Sequence, residues 1–154
     1  MRVAIIAPPY PLEEAPAPPL GVSYVAAAFE AAGCQVKIID YIVSRYTPEK
    51  LKEELDTFEP DVVGTTSVTM NFPVAADILR TAKRHRPSVC AIMGGPHVSF
   101  AVADTLKTYP EIDLLVVGEG EQTIMELVPH MEEKGSWPAI QGLAFRRNGE
   151  MVVT

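Results

Sequence analysis

Apolar and polar positions along the chain fall into alternating blocks of two kinds. Five short runs rich in Val and Ile, at 3–7, 36–40, 62–66, 90–93 and 114–117, are separated by longer amphipathic segments. A strand-length run followed repeatedly by a helix-length segment predicts βαβ units and a parallel sheet. The runs are apolar throughout, which is typical of strands that helices cover on both faces. We therefore expect a flavodoxin-like (Rossmann-like) α/β fold with a five-stranded parallel sheet in the order 2-1-3-4-5.

The amphipathic segments predict helices at 21–32, 48–58, 73–84, 100–108 and 122–134. Gly33 follows the first as a C-cap residue, and Thr47 with Pro48 supplies an N-cap and a first-turn proline to the second. Strand-like runs at 142–146 and 151–154 flank Asn148-Gly149 and predict a hairpin at the edge of the sheet. We assign 1–140 to the α/β domain and 141–154 to this hairpin or to the start of a linker. Because the chain ends within strand-like sequence, we expect it to be part of a longer protein.

Composition and charge narrow the possible partners. A length of 154 residues with 47% hydrophobic residues fits one globular domain. The formal net charge of −7 argues against nucleic acid as a partner, because nucleic-acid binding depends on Lys and Arg. The basic cluster at 83–86 is interpreted as compensating a helix C-terminus. The apolar runs are too short to span a membrane, and the first residues lack a secretory pattern, so we expect a cytoplasmic protein. Cys34 and Cys90 are interpreted as buried structural thiols.

The connection between the first strand and the first helix, at 8–19, is unusually long and rich in proline. Such a βα connection normally needs only about 2 to 6 residues, so a longer one calls for a functional explanation. It lies at the carboxyl edge of the predicted sheet, where open α/β folds bind their ligands. We therefore expect a ligand site at this edge.

Several common ligands of such folds lack their sequence signals here. The first turn is Ala7-Pro8-Pro9-Tyr10, without the G-x-G-x-x-G pattern of dinucleotide binding and without a Ser- and Thr-rich flavodoxin phosphate loop. The third strand is followed by hydroxyl residues where a receiver domain would carry its phosphoacceptor aspartate. Asp40 ends the second strand, but alone it is interpreted as a solvated strand-end residue.

The ends of strands three to five carry small and hydroxyl residues instead. Glycines allow a ligand to approach the backbone closely, and hydroxyls can bond to amides or to a phosphate. This favours a bulky, amide-bearing cofactor, although ordinary tight turns and helix caps remain an alternative. For Glu119 and Glu121, helix capping is the favoured interpretation. The three segments are Thr65-Thr66-Ser67-Val68-Thr69, Gly94-Gly95-Pro96-His97 and Gly118-Glu119-Gly120-Glu121.

Five such motifs, in order from Met1 to about Arg147, resemble the N-terminal cobalamin (B12)-binding domain of B12-dependent radical SAM enzymes. That group includes the anaerobic magnesium-protoporphyrin IX monomethyl ester cyclases and many methyltransferases. Each motif alone is weak, and the five in register are specific. They are Pro8-Pro9, Pro18-Pro19-Leu20-Gly21-Val22, Gly33 with Asp40, Gly94-Gly95-Pro96-His97 and Val117-Gly118-Glu119-Gly120-Glu121.

The resemblance implies a cobalamin whose nucleotide tail enters a slot beside the sheet and whose corrin lies over the strand ends. Each site residue follows from its position in a motif. His97 is assigned a peripheral or loop-ordering contact, and Glu119 is included with its neighbouring glycines. The resemblance assigns Pro8, Pro9 and Tyr10 to the corrin, Ser67 and Thr69 to the tail, Gly94 and Gly95 to the space around the tail, and Gly118 and Gly120 to the nucleotide.

Two departures limit what the chain could do. It lacks the D-x-H-x-x-G motif that supplies a cobalt-ligating histidine in the mutase and methionine synthase domains, and no histidine precedes His85. We therefore expect base-off cobalamin without a protein histidine ligand and no metal ligand from this chain. It also lacks a C-x3-C-x2-C motif, so S-adenosylmethionine and a [4Fe–4S] cluster would belong to a C-terminal radical SAM domain of the parent chain.

We therefore expect a cobalamin-binding module that is not catalytic by itself, within a methyltransferase or cyclase-like enzyme. Two alternatives stay open at the sequence level: a self-contained α/β nucleotide-binding protein or enzyme, and a ligand-free interaction domain. A phosphate loop or a Ser, His and acid constellation would favour the former, and the sequence has neither.

Overall fold

The structure is a computed structural model that describes residues 1–11 and 18–154, so part of the predicted 8–19 connection lies outside the described residues. Its strands are β1 (Arg2–Ala7), β2 (Gln35–Asp40), β3 (Val62–Thr66), β4 (Cys90–Gly94), β5 (Leu114–Val116), β6 (Leu143–Arg147) and β7 (Glu150–Val153). Its helices are α1 (Leu20–Ala31), α2 (Pro48–Phe58), α3 (Phe72–His85), α4 (Pro96–Phe100), α5 (Val102–Thr108) and α6 (Gly120–Leu127). Short 3₁₀ turns follow at Val128–His130 and Trp137–Ala139.

All seven strands form one sheet in the order β2-β1-β3-β4-β5-β6-β7. Strands β1 to β5 are parallel, which confirms the predicted order 2-1-3-4-5. The predicted terminal hairpin is also confirmed, and β6 pairs antiparallel with β5, so the sheet has seven strands rather than five. Asn148 and Gly149 join β6 to β7 with φ of 54° and 83°, the left-handed conformation that a two-residue hairpin turn favours.

Side chains alternate across the sheet and build a separate core on each face. On one face Ala4, Ile6 and Val63 pack with buried residues of α2, α3 and α5. On the other, Val3 and Ile5 pack with buried residues of α1 and α6. Helices on both faces explain the continuous apolar runs of the central strands. Strand β2 departs from this pattern because it is the edge strand, and Ile38 there is 43% exposed.

The helical predictions need two corrections. The predicted helix at 100–108 corresponds to α5, which begins at Val102, whereas Phe100 ends the separate short helix α4, which was not predicted. Ala101 separates the two helices with φ −122° and ψ 34°. The predicted helix at 122–134 ends at Leu127, and Pro129 lies in the 3₁₀ turn that follows. Proline has no N–H with which to continue an i to i−4 ladder, which accounts for the early end.

The remaining sequence features have structural roles. Cys34 is buried as expected, whereas Cys90 is only partly buried, and both are free thiols. Most of the basic cluster at 83–86 is paired: Lys83 Nζ lies 2.6 Å from Asp113 Oδ2, and His85 Nε2 lies 2.8 Å from Asp56 Oδ1. None of the helices in the described parts of the chain is both long and apolar enough to cross a membrane.

Candidate functional site

A cleft lies between the sheet and helices α1 and α6, and its floor is set by strand register. Ile5 of β1 is paired with Gly64 of β3, and Gly64 is paired with Ile92 of β4. All three lie on the face that α1 and α6 cover, because side chains alternate between the faces of a sheet. Gly64 places a position without a side chain between two isoleucines. A Cβ at Gly64 would lie 2.9 Å from Ile5 Cδ1, so Ile5 packs over the glycine, and any side chain at residue 64 would displace Ile5.

A second row on the same face lies two residues nearer the carboxyl ends of the strands. Thr66 of β3 is paired with Gly94 of β4, and Val116 of β5 is the next neighbour in this row. A Cβ at Gly94 would meet only ordinary contacts, 3.7 Å from Val116 O and 3.9 Å from Val116 Cβ. The two glycines, Gly64 and Gly94, therefore form a groove that descends diagonally across β3 and β4.

Helices close this groove into a cleft. Val22, Val25 and Phe29 lie on one side of α1, and Gly120 and Ile124 lie on α6. The resulting cavity has a volume of about 400 Å³ and an apolar interior. We call it the α1–α6 cleft. Its lining comprises Ile5, Gly21, Val22, Val25, Phe29, Gly64, Thr65, Thr66, Ile92, Gly94, Gly95, Pro96, Ser99, Phe100, Val116, Gly118, Glu119, Gly120, Glu121 and Ile124.

Gly95 fixes the shape of the cleft mouth. Its φ is 96°, and a Cβ there would lie 2.7 Å from both Ser67 N and Ser67 O and 2.5 Å from Thr66 Oγ1. Two of these neighbours are backbone atoms that cannot rotate away. The loop after β4 therefore approaches the loop after β3 as closely as it does only because residue 95 is glycine.

A hydroxyl joins the two glycine-containing loops. Ser99 Oγ donates to Gly95 O at 3.2 Å and accepts from Gly118 N at 3.0 Å. Both polar functions of this side chain are therefore satisfied by backbone. The contact holds the loop after β5 against α4 at the mouth of the cleft.

The only charged residues that line the cleft in the described parts of the chain are Glu119 and Glu121. Glu119 is the N-cap residue of α6, and its side chain makes no capping hydrogen bond there. Glu121 lies in the first turn of α6, where its negative charge interacts favourably with the positive end of the helix dipole. The mouth thus presents carboxylate acceptors and no cation from the described chain, an arrangement that suits the amide and hydroxyl donors of a ligand.

A second, more open cavity of about 270 Å³ lies over the ends of β1 and β3. We call it the β1–β3 cleft. Thr66 lines both clefts, so the two meet at the end of β3. The β1–β3 cleft is lined by Ala7, Pro8, Tyr10, Pro19, Ile42, Thr66, Val68 and Asn71.

The residues singled out from the sequence separate into three groups. Gly94, Gly95, Gly118, Glu119 and Gly120 line the α1–α6 cleft. Pro8 and Tyr10 line the β1–β3 cleft, and Pro9 beside them lines neither.

Ser67, Thr69 and His97 form the third group and line neither cleft. Ser67 is fully buried, and its N donates to Gly94 O at 3.0 Å while its O accepts from His97 N at 3.0 Å. His97 Nδ1 lies 3.2 Å from Thr69 Oγ1, and the imidazole stacks on Phe72. These contacts give the group a loop-ordering role on the α3 side of the strand ends.

Sequence reasoning missed several residues of the α1–α6 cleft, above all Gly64, Ser99 and Phe100. The signal for Gly64 was a glycine inside an apolar strand, which marks a close approach of another group. Phe100 is 94% exposed although it lines the cleft, and no sequence pattern distinguishes it from a core aromatic residue. Within 1–11 and 18–154, no group of three or more His, Cys, Asp or Glu side chains could hold a metal ion.

Comparison with known proteins identifies a family for this chain and relatives that are much longer than it. Residues 14–128 match the B12 binding domain family. An uncharacterized methyltransferase of Pyrococcus horikoshii is 36% identical over 134 residues, covering 87% of this chain and 29% of that protein. The anaerobic magnesium-protoporphyrin IX monomethyl ester cyclase of Cereibacter sphaeroides is 34% identical over 141 residues, covering 89% of this chain and 23% of that protein. The chain therefore spans less than a third of the length of these relatives.

A solved structure shows the same fold. The cobalamin-dependent S-adenosylmethionine radical enzyme OxsB, with aqua-cobalamin and S-adenosylmethionine bound, superposes with a TM-score of 0.84 at 20% identity. The match covers 99% of this chain and 22% of OxsB. At 20% identity, this similarity shows that the two proteins share a fold and shows nothing further about this chain.

Proposed function

The chain belongs to the B12-binding domain family, and we propose that it binds cobalamin at the carboxyl ends of its parallel strands. The observation that carries the proposal is the α1–α6 cleft itself. Gly64 and Gly94 open a deep apolar groove beside the sheet, which suits an aromatic base at the end of a nucleotide tail. Cobalamin supplies organocobalt chemistry when bound, and the residues described here bind and orient it.

The two clefts divide the ligand between them in this proposal. The nucleotide tail occupies the α1–α6 cleft, and the corrin covers the strand ends beside the β1–β3 cleft, where Pro8 and Tyr10 lie. Thr66 is common to both clefts, so a ligand that passes from one to the other crosses the end of β3. The Glu119 carboxylate lies at the mouth, where amide and hydroxyl groups of the ligand find an acceptor.

The proposal includes a base-off cobalamin without a protein ligand to cobalt. Neither cleft is lined by a histidine among the described residues. The stretch 1–84 contains no histidine at all, so the first βα connection has none to offer. His97 is engaged with Thr69 and Phe72 on the other side of the loop.

We further propose that the chain is the N-terminal module of a B12-dependent radical SAM methyltransferase or cyclase-like enzyme. The support is its relation to much longer proteins with those names. The module would include the β6–β7 hairpin and would not end at residue 140, because β6 pairs with β5 in the same sheet. The radical SAM domain would hold S-adenosylmethionine and the [4Fe–4S] cluster, because this chain has only two cysteines. A cytoplasmic location and the absence of a nucleic acid partner stay predictions.

The test is retention of a corrinoid. The purified chain is incubated with hydroxocobalamin, desalted, and examined by absorption spectroscopy. We expect about one corrinoid per chain, and a chain that retains none would contradict the proposal. Parallel equilibrium dialysis with ATP, NAD and FMN tests the alternative of a nucleotide-binding protein. Binding of one of these in place of the corrinoid would support that alternative.

A further inference from the structure

The floor of the α1–α6 cleft offers no polar side chain. Ile5, Gly64 and Ile92 form its sheet side, and Val25 and Phe29 of α1 face them. Ile5 and Ile92 are 4% and 5% exposed and Phe29 is 1% exposed, so water has little access at this depth. A ligand group that reaches the floor therefore leaves water and is surrounded by apolar side chains.

The backbone at the floor is also occupied. Strand β3 is paired with β1 on one side and with β4 on the other, and Gly64 lies within both ladders. Its N–H and C=O groups are therefore committed to the sheet. They are not free to bind a ligand, even though Gly64 has no side chain to shield them.

The polar side chains of the cleft lie at its mouth or face away. Ser99 Oγ is held by two backbone groups, and Thr65 Oγ1 donates to Ile6 O at 3.0 Å. Thr66 lies two residues beyond Gly64, in the row nearer the mouth. Glu119 and Glu121 belong to the loop after β5 and the start of α6. In the described parts of the chain, no buried side-chain atom that lacks a hydrogen-bond partner lines this cleft. A polar edge of a base at the floor would thus be left unpaired.

We propose that this floor selects the base of the corrinoid tail, favouring an apolar aromatic base of the benzimidazole class over a purine. The inference rests on the proposed cobalamin-binding function and specifies its ligand. Adenine carries an exocyclic amine and additional ring nitrogens that hydrogen-bond in water. A buried polar group without a partner loses that hydration with no compensation. A dimethylbenzimidazole presents methyl groups at the same edge and benefits from the apolar floor.

The experiment compares three corrinoids on the whole chain: cobalamin, adeninylcobamide, and cobinamide, which has no nucleotide tail. Dissociation constants are measured by quenching of intrinsic fluorescence. We expect cobalamin to bind at least roughly tenfold more tightly than adeninylcobamide, from the usual effect of one or two unpaired polar groups. Cobinamide should bind more weakly than cobalamin as well, because nothing fills the cleft.

The possible results distinguish the inference from the function on which it rests. Equal binding of cobalamin and adeninylcobamide, both tighter than cobinamide, would overturn base selection while leaving the proposed function intact. Equal binding of all three would overturn base selection and show that the tail does not enter the cleft. No binding of any corrinoid would contradict the proposed function and the inference together.

Gly64→Ala locates the selection at the floor. The added Cβ would meet Ile5 Cδ1, the end of a flexible side chain that can rotate toward the cleft. We expect cobalamin to bind at least roughly tenfold more weakly to this variant and cobinamide to bind unchanged. Gly135→Ala is the matched control, because no atom lies within 4 Å of a Cβ there. Unchanged cobalamin binding by a folded Gly64→Ala would overturn the assignment to the floor, and if the variant does not fold, the three-corrinoid comparison decides.

Discussion

The imidazole of His97 stacks on the ring of Phe72, with centroids 4.0 Å apart and an interplanar angle of 30°. Its Nδ1 lies 3.2 Å from Thr69 Oγ1, so the ring is held on the α3 side of the strand ends. We therefore predict that His97 does not ligate cobalt. The electron paramagnetic resonance spectrum of bound cob(II)alamin should lack nitrogen superhyperfine splitting and be the same in wild type and His97→Ala. Splitting that is present in the wild type and lost in His97→Ala would contradict the prediction, and His130→Ala is the control.

Gly94 and Gly95 should respond differently to the same substitution. A Cβ at Gly94 meets only ordinary contacts and projects into the cleft, whereas a Cβ at Gly95 would clash with the backbone of Ser67. Gly94→Val should lower the free energy of unfolding by about 1 kcal/mol and abolish cobalamin retention. Gly95→Val should lower the free energy of unfolding by about 3 kcal/mol or more, through overpacking and a strained φ.

Denaturant unfolding and corrinoid retention measure these two effects separately. Full cobalamin affinity in Gly94→Val would mean that the nucleotide tail lies elsewhere. Equal loss of stability in both variants would contradict the distinction between the two glycines.

Phe100 should contribute to ligand binding and not to folding. Its side chain is 94% exposed yet lines the α1–α6 cleft, so a ligand in the mouth would cover an aromatic ring that water now surrounds. Phe100→Ala should weaken cobalamin binding roughly five- to tenfold and change the free energy of unfolding by less than about 0.5 kcal/mol. Met125→Ala removes an apolar side chain that is 50% exposed and lies outside both clefts, so it should leave affinity unchanged. Equal effects of the two substitutions would argue against a specific role for Phe100.

The Cys90 thiol should alkylate slowly at neutral pH. Burial raises its pKa to about 11, and the nearby Asp113 carboxylate adds to the shift. At pH 8 roughly one thiol in a thousand is then ionised, and only the thiolate reacts. The rate with iodoacetamide should rise about tenfold per pH unit between pH 8 and pH 10, with Cys34→Ser as the background that isolates this site. Equal rates in the native and the urea-unfolded chain at pH 8 would contradict this.

Anaerobic reconstitution with iron and sulfide should not give a stable [4Fe–4S] cluster on this chain. Such clusters are normally held by four Cys thiolates, and only Cys34 and Cys90 are present. Iron content should therefore be no higher than in the double variant Cys34→Ser/Cys90→Ser. Stoichiometric iron and sulfide that depend on these cysteines would be the contrary result.

Local patterns in the sequence determined the architecture. The apolar runs and the amphipathic segments between them specify strand and helix through periodicity alone, and each predicted strand is present with ends within one residue of its expected position. Right-handed crossovers then leave few possible strand orders. Asn148-Gly149 likewise predicted the hairpin turn, because few dipeptides accept two consecutive left-handed conformations. The early end of α6 near Pro129 also has a local signal, because proline cannot continue a helix.

Some features of the candidate site were likewise predictable from local sequence, and others were not. Glycines that follow predicted strands can be recognised from the sequence pattern alone, and this identified Gly94, Gly95, Gly118 and Gly120. That the α1–α6 cleft passes diagonally from Gly64 to Gly94 depends on the pairing of β1, β3 and β4, which joins positions about 30 to 60 residues apart. The orientation of His97 toward Phe72, and the exposure of Phe100 beside the cleft, depend on how α4 packs against α3 and the strand ends. Only the tertiary structure decided these features, because the shape of a cavity is set by contacts between distant segments and not by the preferences of any one of them.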